Sequence, residues 1–256
     1  MKFLPLLLLL TVSLYASAAH SVASGVLTEA DSVSADSAFI EMANAGHTTP
    51  FRHTGPLTEQ DFIEAAAELG CEPAAIHAVV DIEAGVQHKG FWKEGYPLIN
   101  FDLSIFRPMA RRHNVNLSKY TRSHAEVFAR PNRKKYGGYL PAQQARFESA
   151  LTIDTVSAIE GTFWGMFQIG GFNWRKCGAS SAQDFARTMA RSERDQLELF
   201  IAFLRSTGLD RHLRSLSWSA FARGYNGPSY AKRGYHTRLA KAYAKYKNRE
   251  KTDKAK

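Results

Sequence analysis

Apolar residues return every three or four positions from Leu57 to Gly85, and the breaks in that rhythm mark two helices. Thr58, with Asp61 three residues on, starts the first; DFIEAAAEL carries it and Gly70 stops it. Pro73 opens the second at its first turn, in the run PAAIHAVVDIEAG. Ile76, Val79 and Val80 line one face of that helix. Glu83 falls on the same face, because residues three, four and seven apart stack on one side. His77 and Asp81, four apart, take the polar side. A carboxyl held against aliphatic side chains is pushed toward its protonated form, the form a general acid needs near neutral pH. The plainer alternative is a buried ion pair, or a carboxylate that merely ends the helix.

Beyond Gly85 the period shortens to two. FWKEGYPLINFDLSIF has a turn at Glu94 and Gly95, then Leu98, Asn100 and Asp102 alternating with Ile99, Phe101 and Leu103. That alternation predicts a small β-hairpin beside the helices, with Asp102 on its strand. From Pro141 the helical rhythm returns in AQQARFESALTID, WGMFQI, AQDFARTMARSERDQLELFIAFLRST, WSAFARGY and YAKRGYHTRLAKAYAKYK. In the third of these Phe185, Met189, Leu197, Phe200, Ile201 and Leu204 mostly keep one stripe. No internal repeat is visible. The predicted class is mainly α (α+β), a helical domain with a small β element inserted after the helix that ends at Glu83.

The ends of the chain read differently. MKFLPLLLLLTVSLYASAA has a basic start at Lys2, an uncharged apolar stretch from Phe3 to Tyr15 and small residues at Ala16, Ser17 and Ala18. This is the pattern of an export leader, residues 1–19, too short for a good membrane span. No Cys follows it to take a lipid anchor, and no later segment is apolar enough to cross a bilayer. The expectation is a monomer in the periplasm or outside the cell, without stable membrane insertion after cleavage. Residues 20–55 are rich in Ser, Ala, Thr and Gly and read as a flexible arm. Residues 56–247 hold the domain, and 248–256 read as a basic tail.

Charge adds a class of partner. The chain carries 33 basic against 24 acidic residues, and loss of the leader leaves a net +8. Such a balance suits a polyanion: cell wall, anionic lipid surface or nucleic acid. No nucleic-acid motif is present, so nucleic acid is not expected. The stretch from Ser104 to about Tyr139, with Arg107, Arg111, Arg112, Arg122, Arg130, Arg133, Lys134 and Lys135, is either a solvated face or one side of a groove for an anionic polymer. Cys71 and Cys177 either form one bridge or occupy two small apolar sites. His77, His88, His113 and His124 are scattered and HExxH is absent, so no metal is expected, and no cofactor, since no phosphate-binding glycine loop exists.

Three further segments combine glycine, amides and aromatic rings. GTFWGMFQIGGFNW places Gln168 between apolar residues with Gly165 three before it; FARGYNGPSY puts Tyr225 and Asn226 on a turn after a helix; NFDLSIF offers Asp102 as a second carboxylate. Rings stack on pyranose faces and amides bind sugar hydroxyls, so this is sugar-site chemistry. Each of Phe163, Trp164, Phe167, Phe172 and Trp174 can equally be core.

Glu83 at a helix end, then PLINFDLSIF, FWGMFQIGGFN and FARGYNGPSYAKRGYHTRLAKAY, resembles the N-acetylmuramidase family of phage endolysins and bacterial secreted proteins. The match runs from about Leu57 to Tyr246. The resemblance implies a lysozyme-like fold and cleavage of the β-1,4 bond between N-acetylmuramic acid and N-acetylglucosamine in the glycan strands of peptidoglycan. It implies Glu83 as the acid, and a cleft built from WGMFQI and GYNGP. Asp102 is the leading second carboxylate, with Glu160 and Glu94 behind it. Gln168, Tyr225 and Asn226 would orient N-acetyl groups and water, beside Phe167 and Trp164. The chain departs from the family at three places: Asp102 stands where Glu is usual, Ala84, Gly85 and Val86 where Ser is common, and Gly170 with Gly171 where Met and Gly follow. Lytic transglycosylases share the order Glu, G-x-x-Q-I, Y-N and give 1,6-anhydro products. A wall-binding relative without activity is the non-enzymatic alternative.

Overall fold

The computed structural model describes residues 55–84 and 89–254, so the expected leader, and the expected arm apart from Gly55, lie outside the described residues. Helix α1 spans Glu59–Leu69 and α2 spans Pro73–Glu83. Thr58 caps α1 reciprocally: Asp61 N donates to Thr58 Oγ1, and Thr58 N donates to Asp61 Oδ2 at 2.7 Å. Gly70 ends the helix at φ 65°, a left-handed conformation that a Cβ would oppose. Ile76, Val79 and Val80 are fully buried on the face shared with Glu83, and His77 and Asp81 are partly exposed.

A two-stranded ribbon follows, β1 (Phe91–Lys93) and β2 (Tyr96–Pro97), turning at Glu94 and Gly95. Strand β3 (Ile99–Phe101) then leaves the ribbon. It pairs antiparallel with β4 (Thr162–Trp164), Asn100 opposite Phe163, and β4 pairs with β5 (Ile169–Gly170). Two expectations change here. The strand stops at Phe101, and Asp102 is the N-cap of helix α3 (Leu103–Arg112), its Oδ1 accepting from Ser104 N at 2.7 Å and Ser104 Oγ at 2.6 Å. WGMFQI is a strand, turn and strand, with Gly165 at φ 69° and Gln168 at φ 49°, values no helix contains.

The basic stretch folds as α3, a 3-10 turn at Leu117–Tyr120 and short α4 (Ala125–Phe128). Helix α5 (Tyr139–Leu151) covers the free edge of β3: Gln143 Nε2 and Arg146 Nη1 donate to Phe101 O at 3.4 and 3.2 Å. Helix α6 (Thr155–Glu160), which the sequence pattern did not separate, leads into β4. The long helix expected from Ala182 is two, α7 (Ala182–Arg191) and α8 (Glu193–Thr207). Ser192 breaks it in extended geometry and caps α8 by accepting from Asp195 N. Helices α9 (Asp210–Arg214), α10 (Trp218–Asn226) and α11 (Tyr235–Lys254) complete the chain.

Packing places the end of α2 under several elements. Helix α11 lies along α2 and continues through most of the stretch expected as a tail. Its Glu250 accepts from Ala74 N at 3.0 Å, capping α2, while Tyr243 Oη donates to Glu72 at 2.5 Å. Buried Arg194 of α8 joins α1 through Asp61 at 2.9 Å and Glu64 at 3.1 Å. Gln196, fully buried, accepts from Met166 N and donates to Gly90 O and Met189 O, tying the β4–β5 turn to the start of the ribbon. Cys71 and Cys177 are both free, so the bridge alternative falls; Cys177 is buried in the core and Cys71 is half-buried against it. Burial pushes their thiols up to about 11 and about 12.

Candidate active site

Glu83 closes α2 with 8 % of its surface exposed. Burial raises its pKa from 4.5 to about 7; the Asn226 amide and the positive charge of Arg238 pull the other way without overcoming it. A carboxyl with that pKa is populated in both protonation states near neutral pH, as proton transfer to and from substrate requires. Asn226 Nδ2 donates to Glu83 Oε1 at 3.1 Å. Asn226 is the last residue of α10, rather than part of a turn after it, and is 5 % exposed. Its Oδ1 is buried with no partner among the described residues.

The residue before it ties in a third element. Tyr225 Oη donates to Phe167 O at 2.7 Å, holding the β4–β5 turn against α10. Two consecutive side chains of one helix thus position both the acid and the turn. Tyr225 is buried among Phe200, Phe203 and Phe221, and its hydroxyl proton is used, so it supports the site from behind rather than binding sugar through that proton. Gln168 is partly exposed at the end of the turn. Its Nε2 donates to Gly165 O at 2.8 Å, which leaves its carbonyl oxygen for a ligand.

Two residues expected to contact substrate do not. Trp164 is fully buried, donates to Ile159 O at 3.1 Å and packs edge-on against Phe147 and Phe185. Phe167 is 1 % exposed and stacks on Phe200 at 4.1 Å. Both are core, because the turn that carries them folds its rings inward and only Gln168 outward. Two of the three candidate second carboxylates are also engaged in the fold. Asp102 caps α3, and Glu160 accepts from Trp174 Nε1 at 3.0 Å and meets His113 Nε2 at 2.8 Å. Glu94 is exposed in the ribbon turn.

Sequence reasoning missed Tyr235, at the start of α11. It is 1 % exposed and its pKa is raised, first by burial and then by the charge of Glu83, with Arg233 and Arg238 acting against both. Arginine only donates hydrogen bonds, so the hydroxyl proton of Tyr235 has no acceptor among the described residues. The buried acceptor at Asn226 and the buried donor at Tyr235 are signals that exist only in three dimensions. A separate cavity of about 830 Å³, between residues 175–180 and helices α7 and α8, is lined by none of Glu83, Gln168 and Asn226.

A mostly helical domain with small antiparallel sheets, a carboxyl with a pKa near neutrality and an amide directed at it is a glycoside hydrolase of the lysozyme type. The chain belongs to the N-acetylmuramidase family, whose model matches residues 72–247. It is also similar to the crystal structure of Burkholderia AP3 phage endolysin, at 31 % identity, over 85 % of this chain and 87 % of that one, with a TM-score of 0.65. No curated protein matches the chain. The family makes peptidoglycan the substrate and its hydrolysis the activity. Among the described residues no helix is long and apolar enough to cross a membrane, and no cluster of His, Cys, Asp and Glu could hold a metal.

Proposed function

We propose that this chain cleaves the β-1,4 bond from N-acetylmuramic acid to N-acetylglucosamine, with Glu83 as the general acid. The observation that carries the reading is the burial of Glu83 at the end of α2, with a pKa of about 7 and Asn226 fixing one oxygen. In the reaction Glu83 gives its proton to the glycosidic oxygen, the bond from the anomeric carbon to that oxygen breaks, and its electron pair leaves with the oxygen. Positive charge develops on the muramyl ring. The Glu83 carboxylate then takes a proton from the hydroxyl that attacks the anomeric carbon. Gln168 and Asn226 supply carbonyl oxygens for the N–H of acetamido groups. The leader pattern assigns the chain to an exported location, which N-terminal sequencing of the protein recovered outside the cytoplasm tests.

One observation favours a second reading. Asp102 and Glu160 are both engaged structurally, so neither is free to partner Glu83, as in a lytic transglycosylase, where the muramyl 6-hydroxyl is the nucleophile. Digestion of purified peptidoglycan followed by mass spectrometry separates the two. Reducing muramyl ends are expected for hydrolysis; products lighter by one water throughout would overturn it. The Glu83→Gln variant should leave a wall suspension turbid where the wild type clears it.

A further inference from the structure

Positive charge gathers in two stretches, residues 103–139 and the C-terminal 231–256; α11 in the second lies along α2 and pairs Lys245 with Asp81 and Lys247 with Glu72. Residues 103–139 hold nine Lys and Arg against a single acid, Glu126, leaving 24 basic and 23 acidic residues in all the rest. The segment is no frayed tail. Phe106 and Val127 anchor it in the core, His113 meets Glu160, and Arg146 donates to Val127 O at 3.2 Å. Several bases outside the lobe face acids, as with Arg194 and Asp61, Arg205 and Glu68, or Arg214 and Asp210. In this lobe Lys135 is the one base ion-paired among the described residues, to Glu126, and Arg133 lies over the Tyr139 ring. Arg107 and Arg111, four apart on α3, project from one side of it, exposed, and Arg122 is exposed on the following turn.

We infer that the lobe of residues 103–139 is a docking surface for the stem-peptide carboxylates of peptidoglycan, distinct from the cleft at Glu83. The inference rests on peptidoglycan being the substrate. Six of the nine bases are Arg, whose planar fork matches a carboxylate through two parallel hydrogen bonds. The partner is hydrated rather than a bilayer, because Ile63, outside the lobe, is the one large hydrophobic residue exposed among the described residues, so nothing in the lobe can enter lipid. Repeated weak contacts along a polymer keep the cleft close to its next bond.

The test is sedimentation of the protein with purified, teichoic-acid-free sacculi in the cold. Arg107→Gln, Arg111→Gln and Arg122→Gln together should weaken binding about tenfold or more. The same loss of charge at Lys232, Lys241 and Lys251 should change it less than about twofold. Amidation of the sacculus carboxyls should abolish the difference between wild type and the lobe variant, and added salt should do the same. Equal binding by wild type and lobe variant overturns the inference, as do an equal effect of the control substitutions, unchanged binding to amidated sacculi, or lobe-dependent binding to anionic phospholipid vesicles in place of sacculi. Cleavage of peptide-free glycan oligomers is measured in parallel. Failure there with lobe-dependent docking intact sinks the muramidase reading alone, and cleavage there with indifferent docking sinks this inference alone.

Discussion

Replacing Glu83 by Gln should stop lysis and also make the protein more stable in mildly alkaline solution. Gln has the shape and neutrality of protonated Glu, and Asn226 Nδ2 can still donate to its oxygen. The folded chain raises the Glu83 pKa from 4.5 to about 7, chiefly by burial. A carboxyl whose pKa rises on folding holds its proton more tightly in the native state. The stability it contributes is therefore complete below 4.5 and is lost as pH climbs through 7. At roughly 1.4 kcal/mol per pKa unit, that interval amounts to about 3 kcal/mol. Urea unfolding followed by circular dichroism measures it, run on both proteins at about pH 4 and about pH 8.5; every other titrating group cancels in the difference of differences. The two proteins should agree to within about 0.5 kcal/mol at the acid end. The variant should be the more stable by about 3 kcal/mol at the alkaline end. A gap independent of pH, or a variant less stable at high pH, would show that the site favours the charged carboxylate. The acid role would then lose its physical basis.

Asn226→Ala removes a hydrogen bond to the charged form of Glu83, so the alkaline limb of the pH–rate profile should move up by about one unit; a limb that stays or moves down contradicts the assignment. Asp102→Ala should lower stability by about 1 kcal/mol through loss of the α3 cap and leave the rate of lysis within about twofold, whereas a loss of several orders of magnitude would return Asp102 to the catalytic centre. Tyr225→Phe strips Phe167 O of its buried donor and should lower stability by about 1–3 kcal/mol. Tyr235→Phe removes a hydroxyl whose proton has no acceptor, so the melting temperature should hold or rise while lysis slows about tenfold; a lowered melting temperature with full activity would make Tyr235 structural.

The parts of the site that follow from neighbouring residues were legible in the sequence. The cap at Thr58, the stop at Gly70, the entry at Pro73 and the face shared by Ile76, Val79, Val80 and Glu83 are all set within one or two turns of chain. WGMFQI was not, because a six-residue apolar run has the same composition in a buried strand as in a buried helix. The decision lies with β3, sixty residues earlier, whose pairing with β4 no local pattern encodes. Asp102 carried a cap signature, with Ser two residues on, but the alternation before it concealed the helix behind it. The aromatic residues misled for a related reason. Trp164 ends the strand before a turn and Phe167 lies within it, and both rings point inward, a direction set by the left-handed backbone at Gly165 and Gln168 rather than by residue type.

The structural engagement of Asp102 and Glu160 constrains the chemistry more than it weakens it. Once Glu83 has donated its proton it is a carboxylate next to Asn226 Nδ2 and within the field of Arg238, both of which favour the charged form. It can then accept a proton from whichever hydroxyl attacks the muramyl ring, so one group serves as acid and base in turn. A pKa of about 7 suits that double duty, since neither form is costly to reach near neutral pH. The choice between water and the muramyl 6-hydroxyl then falls to the groups that hold the nucleophile. The buried carbonyl oxygen of Asn226, without a donor, and the hydroxyl proton of Tyr235, without an acceptor among the described residues, are the two best placed to do so. If they hold water, Tyr235→Phe should shift the product ratio toward anhydro ends as it slows lysis; an unchanged ratio would remove Tyr235 from that step.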